Sequence, residues 1–185
     1  MIEPQSTGVS TVRRLLLVGI AALGCYACAG GMAGKEPLSA GAALKDKDGK
    51  DVGAATLIET SEGTRIALTG YRLPPGPHGA HIHAVGQCQP PDFASAGGHF
   101  NPTGKQHGRL NPAGPHAGDL PNLVVAPSGE AGVDITTRSV TLGSGPASLL
   151  GDKGTAIVIH ADPDDEKTDP AGNSGARIAC GVITK

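Results

Sequence analysis

Beyond Ala40 the chain falls into short apolar stretches with Gly or Asp at the breaks. Ala42–Lys45, Val52–Glu59 and Thr64–Tyr71 read as strands, as do Gly79–Val85, Leu120–Ala126, Ala131–Ile135, Thr155–Ala161 and Ala176–Ile183. Asp48-Gly49 between the first two is a strong hairpin signal, and Ser61-Glu62-Gly63, Ser128-Gly129 and Asp152-Lys153-Gly154 supply further turns. No window sustains a 3.6-residue apolar period over a helix length. Many short strands joined by Gly-rich turns predict an all-β sandwich or barrel. Gly86–Gly118 and Asp162–Gly175 do not fit as strands, and long irregular loops in a compact domain are usually functional or disordered.

The N-terminal pattern is different. Arg13 and Arg14 precede a ten-residue apolar run, Leu15–Gly24, too short to span a bilayer and typical of an export signal. Residues 1–28 therefore read as a signal peptide and 29–39 as a flexible linker, leaving 40–185 as one domain. Leu23-Gly24-Cys25 resembles a lipoprotein box with Cys25 as the lipidated residue, Tyr26-Ala27-Cys28 offers a weaker second site, and ordinary cleavage near Ala27 or Ala29 is the alternative. The expected location is the periplasm or cell envelope, with membrane contact only through such an anchor. Cys25 and Cys28 belong to the export region. Cys88 and Cys180 remain for the domain, where export favours a disulfide over free thiols.

Beyond residue 28 there are 13 basic and 16 acidic side chains, and the whole chain has only two Tyr and two Phe. With no basic patch and no aromatic stacking platform, nucleic-acid binding is excluded as a function class.

Six of the seven histidines lie between His78 and Asp119. His81-Ile82-His83 sits in a strand-like run, where alternation sends both imidazoles to one face as a clamp. His160 ends the run AIVIHA and can add a third nitrogen, a set that suits Cu(II). His107, His116 and Asp119 follow His99 at spacings of eight, nine and three, and three nitrogens with one carboxylate suit tetrahedral zinc. His99 lies between the two sets, and its two ring nitrogens could serve both metals. His78, three residues from His81, faces the other way and is expected to bond backbone groups instead.

The stretches HGAHIHAVGQC, GGHFNP and GARIACGVI, with His107, His116 and Asp119 between them, resemble copper/zinc superoxide dismutase of the bacterial exported branch. The likeness covers Ala40–Lys185 and implies an eight-stranded Greek-key β-barrel or sandwich with two long functional loops. It implies one copper ion and one zinc ion per subunit. Copper would be held by His81, His83, His99 and His160, and zinc by His99, His107, His116 and Asp119. Cys88 would pair with Cys180, and Asp164 would link His81 to His107 as an outer support. Arg177 would guide the anion and His99 would take up a proton in the dismutation of superoxide, the implied small-molecule substrate. A homodimer stays open, because subunit contacts differ between branches. A non-enzymatic copper- or zinc-binding module for storage or delivery is the competing function, and a copper-only dismutase a third.

Overall fold

The computed structural model describes residues 36–185. The expected signal peptide, the Cys25 lipidation site and most of the linker lie outside the described residues. Nine strands follow one another: β1 Ser39–Asp46, β2 Asp51–Thr60, β3 Gly63–Gly70, β4 Gly76–His78, β5 Ala80–His83, β6 Leu123–Val125, β7 Ala131–Thr137, β8 Ala156–His160 and β9 Arg177–Val182. The sole helical element among the described residues is a three-residue 3-10 turn, Ala94–Ala96.

Seven strands form one antiparallel sheet in the order β5-β8-β9-β1-β2-β3-β7, and β4 pairs with β6. Two links curl this arrangement closed. A single residue, Gly79, separates β4 from β5, and a turn held by Ala126 N–H donating to the Glu130 carbonyl joins β6 to β7. Counting β4 and β5 as one interrupted strand gives the expected eight. The strand expected over Gly79–Val85 is divided differently in the structure, which shortens it to Ala80–His83 and adds β4 before it. Pro77 hid β4, because it has no N–H to give a ladder.

Alternation builds the core. Ala40, Ala42 and Leu44 of β1 point inward with Leu57 of β2 and Ile66 and Leu68 of β3. β5 and β8 break this pattern, being buried along their whole length. Their inward residues, Ala80, Ile82, Ile157 and Ile159, join the barrel core. Their other face lies under the loop between β5 and β6. There Ala156 and Val158 pack with Phe93, Ala96 and Cys180. His81, His83 and His160 lie on this second face, between strand and loop.

Cys88 and Cys180 form a disulfide across 92 residues of sequence. It fastens the start of the long loop to β9, the strand that opens with Arg177.

Candidate metal centre

Strand pairing brings the first histidines together. His81 lies opposite Val158 and His83 opposite Ala156, so both imidazoles share the outer face of β5. A register shift between Ile159 and His160 at the end of β8 puts His160 beside Arg177. His99 reaches the same place from the loop, held by a bridge between residues 83 and 99 and by the Phe100 N–H donating to the Ile82 carbonyl. One nitrogen from each of His81, His83, His99 and His160 falls within 4.8 Å of the others.

A second cluster shares His99. The Asp119 Oδ1 lies 3.0 Å from His99 Nδ1, 3.1 Å from His107 Nδ1 and 3.4 Å from His116 Nδ1. The two Nδ1 atoms of His99 and His116 are 3.4 Å apart. A tetrahedron with metal bonds of about 2.0–2.1 Å has edges of about 3.3 Å, close to these four separations. His81 also approaches this cluster, but its Nε2 is 2.8 Å from Asp164 and its Nδ1 is left for the first group.

The fit to metal rests on atoms that make no hydrogen bond. His81 Nδ1, His83 Nε2, His99 Nε2, His107 Nδ1 and His160 Nε2 are buried with no hydrogen bond, although His107 Nδ1 has the Asp119 carboxylate 3.1 Å away. Buried polar atoms are rarely left so. Five in one place, all pointing into the two clusters, is the pattern of a cation-binding ligand set.

The opposite ring nitrogens are anchored, which fixes each ring. His81 Nε2 and His107 Nε2 face the two oxygens of Asp164 at 2.8 and 3.0 Å. His83 Nδ1 donates to the Gly97 carbonyl at 2.9 Å and His160 Nδ1 to the Gly175 carbonyl at 3.1 Å. Asn122 grips Asp164 from behind. Its amide donates to the Asp164 carbonyl and accepts the Asp164 N–H, at 2.9 and 2.8 Å. Gly172 must be a glycine, because a Cβ there would stand 1.8 Å from the Asp164 carboxylate. His78 does bond backbone. Its ring nitrogens lie 2.8 Å from the carbonyls of His160 and Pro74.

Protonation favours ligation. Burial pushes His81 down to about 4, against the pull of Asp164. Burial likewise takes His83 to about 2 and His160 to about 3. All three are neutral donors at neutral pH. At Asp119 burial opposes the charge, but the His99 contact, the Gly108 N–H and the neighbouring His107 and His116 outweigh it. The carboxylate is held well below its ordinary range.

A cavity of about 260 Å³ opens over the shared ligand, lined by His83, His99, His160, Asn101, Ala171 and Arg177 among others. Arg177 donates to the carbonyls of Phe93 and Gly97, each at 2.7 Å. The Gly97 oxygen thus holds both His83 and Arg177. A larger groove of about 730 Å³ flanks Arg177 between Leu73 and Pro91, but none of the histidines lines it. Lys105 and Arg109 line neither cavity, and Arg109 pairs with Glu166 at 3.4 Å.

Sequence reasoning missed the supports: the Gly97 and Gly175 carbonyls, Asn122 and Gly172. A carbonyl carries no residue signature. The adjacency of Asn122 to the Asp119 segment was the one available hint.

The model of the family described as copper/zinc superoxide dismutase matches residues 52–183. A protein named Superoxide dismutase [Cu-Zn] 2 from Aquifex aeolicus is 53% identical over 150 residues, covering 80% of this chain and 88% of that protein. A Bacillus subtilis protein named superoxide dismutase-like protein YojM is 45% identical over 143 residues, covering 76% and 73%. The crystal structure of a SOD-like protein from Bacillus subtilis superposes with a TM-score of 0.75 at 42% identity, covering 78% of this chain and 97% of that one.

Proposed function

The chain belongs to the copper/zinc superoxide dismutase family, and from that premise we propose that it dismutes superoxide at the cavity over His99. Two superoxide anions and two protons become one molecule of oxygen and one of hydrogen peroxide. We assign copper to His81, His83, His99 and His160, and zinc to His99, His107, His116 and Asp119. Bound there, copper supplies one-electron redox chemistry and zinc a fixed charge without redox.

The remaining work falls to side chains. Arg177 offers a fixed cation with hydrogen-bond donors at the mouth of the cavity, and its two carbonyl contacts keep it there. A localised positive group in a cleft focuses an anion despite the chain's formal charge of −2. His99 Nε2 faces the copper group without another partner, so it is the atom that can hold and release a proton beside the substrate. Asp164 holds His81 and His107 in one grip, which joins the two clusters mechanically. Pro170 and Ala171 close the cavity wall with small apolar groups.

The observation that carries this reading is the set of five buried imidazole nitrogens that make no hydrogen bond and gather in two clusters. The storage or delivery alternative has less support, because Arg177 and an open cavity stand over the histidines. The test is to load the purified protein with copper and zinc, quantify both, and assay superoxide loss beside His160→Ala. One of each metal with activity lost in the variant is expected. Two metals bound without activity would favour storage instead.

We propose that the protein is exported. The support is Arg13-Arg14 before the run Leu15–Gly24, and Cys25 is the candidate anchor. Palmitate labelling in cells that is abolished by Cys25→Ala would establish the anchor. No labelling of either form leaves simple cleavage.

A further inference from the structure

We infer that Asp169 is a positioning residue of the zinc cluster, acting on His107 and His116 together; the inference rests on the zinc assignment above. A metal-bound imidazole has a second nitrogen, and the acceptor of its N–H sets the ring's orientation. For His81 and His107 the acceptor is Asp164. For His83 and His160 it is a backbone carbonyl. His99 turns one nitrogen to each cluster. His116 is left, with Nδ1 toward Asp119 and Nε2 directed outward.

The group facing that outward nitrogen is Asp169. Its Oδ1 lies 3.7 Å from His116 Nε2. The same oxygen accepts the His107 N–H at 2.6 Å. One carboxylate oxygen therefore touches the backbone of one proposed ligand and faces the ring of the next. The separation from His116 exceeds a hydrogen bond. A cation on Nδ1 makes the Nε2 N–H a stronger donor, so metal binding favours closing the gap. Asp169 also precedes Pro170 and Ala171, which line the cavity over His99. Its grip on the zinc ligands therefore fixes that wall as well. At 48% side-chain exposure its charge is partly screened, so its effect is smaller than that of buried Asp164.

The test is zinc affinity, measured by chelator competition on the copper-free protein, for wild type, Asp169→Asn and Asp169→Ala. Asn keeps an acceptor for the His107 N–H and removes the charge facing His116. Affinity should fall about tenfold in the Asn variant, the lower end for outer partners of metal ligands. It should fall further in the Ala variant. The visible spectrum of cobalt(II) placed in the zinc cluster should change with Asp169→Asn, while the metal-free melting temperature stays constant. Equal affinity in wild type and Asp169→Asn would overturn the inference. So would a metal-free melting temperature that falls in step with affinity, since that marks a folding role. A wild type that binds no zinc would overturn the zinc assignment along with it.

Discussion

Asp164 is buried between two imidazoles that belong to different clusters, and each of its oxygens serves one of them. Replacing it with Ala leaves two buried N–H groups without acceptors. Copper and zinc affinity should then both fall by about 10–100-fold, read by chelator competition for each metal. Loss of one metal alone would show that the bridge does not couple the sites. The histidines also set a pH dependence. His81, His83 and His160 refuse protons in the folded, metal-free protein until well below their ordinary value. The unfolded chain takes those protons up near pH 6.5, so it binds more protons than the folded one between about pH 6.5 and 4. Stability of the metal-free protein should therefore decrease as pH falls through that window, measured as melting temperature by calorimetry at pH 7 and pH 5. The proposed ligand residues were legible in sequence because six of the seven histidines gather in one stretch and His160 ends a later apolar run. Their backbone acceptors were not, because Gly97 and Gly175 act through carbonyls that every residue has.

At the level of elements, the strands that carry the proposed copper ligands are those covered on both faces. His81-Ile82-His83 still shows alternation, so its clamp could be read directly. Ala156–His160 reads as an unbroken apolar run, which conceals the face His160 takes. Pairing with β5 and a register shift decide it. The break at Gly79 was equally hidden, since it depends on β4 leaving for β6 while β5 stays with β8. The disulfide acts at this scale too. Replacing Cys88 and Cys180 with Ser should cost about 4–5 kcal/mol on the loop-entropy model for a closure of this length, measured by denaturant unfolding. Activity should fall as well, because the loop it fastens supplies the Phe93 and Gly97 carbonyls that seat Arg177. A double Ser variant with unaltered unfolding would contradict this account of the disulfide.

Over the whole molecule, a chain of formal charge −2 must collect an anion. Arg177 is the one cationic side chain lining the cavity over His99 among the described residues. Arg177→Ala should lower the second-order rate about tenfold at low salt and flatten its dependence on ionic strength. An unchanged salt profile would place the steering charge elsewhere. The barrel itself was foreseeable from short apolar stretches and turn residues, whereas its closure was not, because it depends on one strand changing partners. The family likeness and the physical reading meet in the same constellation: two proposed metal-binding clusters sharing His99 beneath one guanidinium. The most direct test is the product balance of the copper- and zinc-loaded protein given a measured amount of superoxide. Dismutation predicts one oxygen and one hydrogen peroxide for every two superoxide anions consumed, with no added reductant. Peroxide without oxygen, or superoxide decaying no faster than in buffer, would contradict it.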